Sequence, residues 1–327
     1  MNEDELRTAL EAAASQVEPD PHGLAKIRMR TAARRRRARV LWWPVLATAA
    51  AAAVAVAVVA VPRHQGPPPR PTATVVDPVP SETPLPQGTV NVPVYFVGNT
   101  GLGPRLFREY HVVTATPASP EDKASVALAE MFKSPVDPDY RTLWPSGATV
   151  RSVVAQPDGT DTVDLAGVSG PGPADPQLAV EQLVWTVTAA TGRSTPYPVR
   201  LTIDGQPAGE LWGLWIGDRT FTRSRIADVR SPVWLIDPAE GATITAGKPV
   251  NVYVAGLVAD GALKLRVRQG DKVVEDRPVQ LDHAAPQAGE ARLPLTLSPG
   301  EYTIEAYVPA EDGGADLAVD SHRVTVR

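Results

Sequence analysis

Val92-Pro93-Val94-Tyr95-Phe96-Val97 is a run of β-branched and aromatic residues too short for a helix, and the chain after it alternates such runs with helical ones. Leu106 to Val113 reads as a second strand. Between the two, Gly98-Asn99-Thr100-Gly101-Leu102-Gly103 has the glycine content of a phosphate loop. Pro104 and another strand follow where a helix amino terminus would be needed to bind the anion, so the segment reads as a hairpin loop. Ser119-Pro120-Glu121-Asp122 starts a helix with Val126, Ala127, Met131 and Phe132 at helical spacing, and Ser134-Pro135 ends it. Ala148 to Val154 and Thr162 to Leu165 are strands around a Pro157-Asp158-Gly159 turn. A second helix carries Leu178, Leu183, Val184 and Val187 as its apolar stripe. Val199 to Ile203 is a strand that turns back at Asp204-Gly205 toward Leu211 and Trp212. This order predicts an α+β domain over 90–222, with helices on one face of a small sheet.

Toward the carboxy terminus the helical signal stops near Arg230. Seven β-patterned runs follow, at Val233 to Ile236, Val250 to Ala255, Leu263 to Arg268, Val273 to Val279, Ala291 to Leu297, Tyr302 to Val308 and Ser321 to Val326. Turn residues separate them, including Pro238-Ala239-Glu240-Gly241, Asp260-Gly261, Gly270-Asp271 and Ser298-Pro299-Gly300. Strands at this spacing without helices predict an all-β sandwich over 230–327.

Toward the amino terminus, residues 62–89 are dense in proline and poor in large apolar side chains, the composition of a linker. In polyproline II it would advance about 3.1 Å per residue and reach up to about 80 Å. Before it, Val40 to Val61 is apolar and free of charge. At about 1.5 Å rise per residue such a run crosses a hydrocarbon core of about 30 Å, which predicts a single transmembrane helix over 40–61. Arg34, Arg35, Arg36, Arg37 and Arg39 stand directly in front of it, so the positive-inside bias places the amino terminus in the cytoplasm and everything after Pro62 outside. Trp42 and Trp43 fall at headgroup level as interfacial anchors. A cleaved secretory signal is the competing reading, since the Ala-Val alternation near Ala55 and Ala57 offers small-residue sites, but a 39-residue leader and the longer apolar run favour an anchor. Residues 1–39 form a basic, marginally helical cytoplasmic tail with Leu6, Leu10 and Val17 on one face.

The 327 residues carry a formal charge of −5 that mixes two opposite halves: nine Lys/Arg against six Asp/Glu up to Arg39, and 23 against 31 beyond it. The outer part is mildly acidic, which argues against a polyanion ligand there. The basic cluster touches the predicted span and reads as a topology signal and a contact for anionic lipid rather than for nucleic acid. With no cysteine, neither a lipid anchor nor a disulfide framework is available, and the domains must stand on their cores.

Several segments together resemble a known family. They are Val94 to Val97, the Ala127-Leu128-Ala129-Glu130-Met131-Phe132 helix, Leu143-Trp144-Pro145-Ser146-Gly147-Ala148-Thr149-Val150, Val163-Asp164-Leu165, Val184-Trp185-Thr186-Val187-Thr188 and Val199 to Gly205. They resemble the sporulation/germination GerMN domain. The carboxy-terminal part, with Pro238 to Gly241 and the strand at Val250 to Gly256, resembles the immunoglobulin-like domain that accompanies spore-germination proteins. The resemblance implies an exported bacterial envelope protein, of actinobacterial type, acting by contact. Its owners need not make endospores, and the transmembrane anchor in place of a lipidated cysteine departs from the spore proteins.

The chain offers few groups for chemistry. His22, His64, His111, His283 and His322 are scattered, with no pair at metal-ligand spacing, and His111 reads as an ordinary strand residue. Asp312, Asp316 and Asp320 offer oxygen ligands for calcium, but without an EF-hand pattern they read as a solvated sandwich edge. No catalytic residue, cofactor or metal site is expected. Trp212, Trp215 and Trp234 flank the domain junction, either as a contact surface or as packing within the two cores and between them. Envelope proteins or peptidoglycan, the lipid bilayer and further copies of the chain are the expected partners, with no role for nucleic acid. The function expected is that of a scaffold or adaptor at the outer face of the cytoplasmic membrane. The alternative is a transmembrane signal transducer whose short tail engages a sigma factor.

Overall fold

The computed structural model describes residues 85–193, 196–310 and 313–327. The tail, the predicted span with Arg34 to Arg39, Trp42 and Trp43, and most of the linker lie outside the described residues. Among the described residues no helix is long and apolar enough to cross a membrane.

The first domain opens with a long hairpin, β1 (Thr89–Thr100) and β2 (Gly103–Thr114), paired in register along its whole length. The glycine-rich segment is this hairpin's tip. Thr100 Oγ1 donates to the Gly103 carbonyl (2.8 Å) and accepts from the Leu102 amide (3.1 Å), and Gly103 takes a positive φ of 89°. Helix α1 (Pro120–Met131) begins at Ser119, whose side chain accepts from the Asp122 amide, and it buries Ala124, Ala127, Leu128 and Met131, the i, i+3, i+4, i+7 face of an amphipathic helix. The two-residue β3 (Tyr140–Arg141) adds to the free edge of β1 at Val97 and Gly98.

A second sheet follows, of β4 (Thr149–Ala155), β5 (Asp161–Ala166), β6 (Val199–Ile203) and β9 (Thr220–Phe221), in the order β4-β5-β6-β9. Strands β5 and β6 are parallel, and α2 (Pro176–Thr191) makes the crossover between them. Asp204 (φ 52°) and Gly205 (φ 76°) form the expected tight turn after β6, and the hairpin β7 (Glu210–Leu211) and β8 (Leu214–Trp215) precedes β9. Instead of one small sheet with helices on one face, the domain has two main sheets, of three and four strands, besides the two-stranded β7-β8 hairpin. The apolar faces of α1 and α2 join Val92, Val94 and Phe96 of β1 to Val163, Leu165, Val199 and Leu201 of the second sheet in a single core.

Helix α2 departs most from its sequence reading. Rather than one stripe, nearly its whole circumference is buried, including Glu181, Gln182, Thr186 and Thr188. Each of these polar side chains bonds a neighbouring element. Gln182 Nε2 donates to the Tyr95 carbonyl (2.9 Å), and Thr186 Oγ1 accepts from the Tyr95 amide (3.1 Å). The helix thereby satisfies the edge of β1 that no strand covers at Tyr95. Pro93 has the same parity as Tyr95, so its missing N–H falls on that edge and costs no ladder bond.

A short helix α3 (Ile226–Val229) leads into eight strands. The sheet β10-β12-β15 (Val233–Asp237, Val250–Gly256, Gly289–Leu295) faces a five-stranded sheet in the order β11-β17-β16-β13-β14. Its members are β11 (Ala242–Ile244), β13 (Ala262–Gln269), β14 (Lys272–Gln280), β16 (Gly300–Val308) and β17 (Ala318–Val326). Val252, Val254 and Leu295 of one sheet and Leu265, Val267, Ile304 and Val324 of the other share one core, so the sandwich expected from the turn spacing is present. The seven runs become eight strands because β11, three residues long and parallel to β17, lies within what reads as a turn region.

Candidate functional site

The densest group of buried polar side chains lies where the two domains meet. The connector after β9 is packed into the first domain: Arg230 bridges Leu106 of β2, and the Ser231 amide donates to the Leu106 carbonyl (3.0 Å). Arg230 is buried, with its guanidinium 4.1 Å from the Trp234 ring, 5.2 Å from Tyr95 and 5.5 Å from Trp185. Three aromatic faces from β1, α2 and β10 thus surround one cation, an arrangement worth about 2 kcal/mol or more when desolvated. Behind it, Glu181 accepts from Trp185 Nε1 (3.1 Å), the Ser224 amide (3.2 Å) and the Ser224 hydroxyl, and Arg223 Nε donates to Thr188 Oγ1 (2.6 Å). Helix α2 therefore holds the connector as well as β1.

Beside this cage, the loop after α1 and strand β3 meet β17. The Asp320 carboxylate is buried and accepts from the Tyr140 hydroxyl and the Leu235 amide (2.6 Å). Ser321 Oγ donates to Asp139 (2.8 Å), and the Gly101 amide at the hairpin tip donates to the Leu317 carbonyl (2.9 Å). Burial pushes the Asp320 carboxyl above its ordinary range, and burial together with the nearby Asp320 and Asp137 charges holds the Tyr140 phenol well above 10.0. Burial likewise pushes Asp137 up to about 7, against the opposing Asp139 amide and His322.

A second cluster ties β2 to α1. His111 Nε2 lies 2.6 Å from Glu109 Oε2 and Nδ1 lies 3.2 Å from Glu130 Oε2, while Glu130 also accepts from Lys133 (2.6 Å). Glu109 in turn accepts from the Val136 and Asp137 amides (3.0 and 2.8 Å), which anchors the loop that reaches the junction. Burial disfavours the charged imidazole, but the two carboxylates outweigh it and raise the His111 pKa above 6.5. In Glu130, burial is outweighed by Lys133 and His111, and the carboxyl sits below 4.5. His111 is therefore more than an ordinary strand residue: it is the middle of a buried carboxylate–imidazole–carboxylate bridge.

The sequence-derived candidates are placed as follows. Trp234 is buried under Arg230, and Trp212 packs edge-on against Trp144 (5.0 Å) with Nε1 donating to the Val168 carbonyl (3.1 Å). Trp215, 58% exposed, is the one of the three that offers a surface. Of the calcium candidates, Asp316 is held by Arg266 (3.0 Å), Asp320 is buried at the junction, and Asp312 lies outside the described residues. The solvated-edge reading fails for Asp320 because it is buried. The grouping of Asp137, Asp320 and His322 went unseen in the sequence, because a loop of the first domain and the last strand of the second are brought together only by the fold.

With this geometry in place, comparison with known proteins finds one family model that matches part of the chain. Residues 93–209 match the family model Germane, described as sporulation and spore germination. No curated protein matches the chain. Among solved structures, the tandem GerMN domains of the sporulation protein GerM from Bacillus subtilis are similar at 18% identity, with 58% of this chain and 60% of that one covered and a TM-score of 0.33. The fibronectin(III)-like modules of CbhA from Clostridium thermocellum are similar at 21% identity, covering 29% of this chain and 93% of that one with a TM-score of 0.21. The GerMN resemblance read from the sequence is thus supported over 93–209.

Proposed function

We propose that this chain is a membrane-anchored extracytoplasmic scaffold or adaptor of the bacterial envelope, acting by contact with envelope proteins, peptidoglycan or further copies of itself rather than by catalysis. The observation that carries the reading is the Germane match over 93–209 standing downstream of an apolar, arginine-preceded run at 40–61. On this reading the carboxy-terminal sandwich is the immunoglobulin-like companion domain, the source is of actinobacterial type, and the role need not be sporulation. Two features of the fold favour contact. Two of the buried titratable groups of the first domain, the His111 bridge and Glu181, are taken up in joining elements. The outer edge of β2 beyond Leu106 pairs with no strand among the described residues, and it presents Val112, 56% exposed, with Trp215 exposed elsewhere on the same domain.

Crosslinking in intact cells, followed by affinity purification of the full-length chain and of a form lacking residues 2–33, tests the proposal. Envelope proteins or wall material recovered equally with both forms is the expected result. Recovery of no envelope component would overturn it, and a sigma factor recovered with the full-length form alone would make the chain a signal transducer.

A further inference from the structure

At the junction, one carboxylate oxygen of Asp137, one of Asp320 and a ring nitrogen of His322 lie within 4.8 Å of one another, and all three residues are buried. Asp137 Oδ1 accepts from the Asp139 amide (2.8 Å), whereas Oδ2 is buried and accepts no hydrogen bond. It faces His322 Nε2 at 3.8 Å. His322 Nδ1 sits 2.7 Å from the Pro238 carbonyl, and since a carbonyl can only accept, Nδ1 carries the hydrogen. In the neutral ring Nε2 then presents its lone pair to the bare carboxylate oxygen. Two lone pairs facing each other out of water need a positive charge between them. A single proton fits badly, because 3.8 Å is too long for a hydrogen bond. A small metal ion fits better: ligands about 2.0–2.2 Å from a zinc ion stand roughly 3–4 Å apart.

The geometry points to a divalent metal site of the zinc class formed by Asp137, Asp320 and His322, clamping the first domain to the last strand of the sandwich. The outer partners suit such a site. The Pro238 carbonyl fixes the His322 tautomer, and the Tyr140 hydroxyl and Leu235 amide orient Asp320 while leaving lone pairs on its oxygens. An imidazole among the ligands selects zinc and its transition-metal neighbours over calcium or magnesium.

The test uses the full-length, tag-free chain in detergent, stripped with chelator and titrated with zinc chloride under calorimetry and thermal melting. Asp137→Asn and His322→Gln serve as variants. The wild type is expected to take up one zinc ion per chain and melt at higher temperature with zinc than without. Each variant should bind about tenfold or more weakly while its metal-free melting stays near that of the wild type. Zinc uptake unchanged in both variants, or a melting rise given by calcium alone, would overturn the site. If the variants fail to fold, cobalt(II) added to the stripped wild type decides: a visible d–d band displaced by zinc upholds the site, and its absence overturns it.

Discussion

Arg230 shows how much one side chain can carry at a junction. Its charge is met by the faces of Trp234, Tyr95 and Trp185, drawn from both domains. Arg230→Met, which keeps the bulk and removes the charge, is expected to cost about 2 kcal/mol in urea denaturation. His111 makes a different prediction. Its folded pKa lies above 6.5, so its contribution is complete below that value and is lost as the pH rises through the folded one. Glu130, held below 4.5, contributes above that value and loses its share as the pH falls through its folded pKa. In the metal-free chain Asp137, raised to about 7, also makes stability fall as the pH rises from 3.8 through that value. Comparison with His111→Gln isolates the imidazole: between about pH 5.5 and about pH 8.5 the wild type should lose more stability than the variant. Equal losses in the two denaturation series would remove His111 from the account.

Among the elements, α2 is the one on which the first domain depends. Gln182→Leu would leave the Tyr95 carbonyl and the Leu143 amide without their partner inside the protein, at a cost of about 2–4 kcal/mol. Thr186→Val removes one such partner and should cost roughly half as much by the same chemical denaturation. This helix also shows what the sequence conceals. The structure caps it at Asp175 and Gly192, and its existence is legible from the stripe of Leu178, Leu183, Val184 and Val187. Its burial is not, because Glu181, Gln182, Thr186 and Thr188 have the composition of a solvated face and become internal only through partners far away in the chain. The long strands were legible from alternation and turn residues, whereas β3, β7, β8, β9 and β11, at two or three residues, are too short to show a period. The Asp137–Asp320–His322 grouping left no local spacing to read. Asp320 even suggested the wrong neighbours, since Asp316 beside it in sequence is committed to Arg266.

At the scale of the whole molecule, the two domains share the Tyr140–Asp320 bond, the Gly101–Leu317 bond and the Arg230 cage. They should therefore unfold together, with tryptophan fluorescence and far-ultraviolet dichroism melting in one transition. Combining Tyr140→Phe with Arg230→Ala should split that transition in two. The functional proposal rests on a further claim, that this unit stands outside the membrane while the tail stands inside. The chain's lack of cysteine makes that claim directly measurable, because any thiol introduced is the only one present. Spheroplasts expressing Val112→Cys or Ser15→Cys would be treated with a membrane-impermeant maleimide before and after permeabilisation. The account predicts that Val112→Cys is labelled at once and Ser15→Cys only after the membrane is opened. Labelling in the reverse order, or protection of both until permeabilisation, would contradict it.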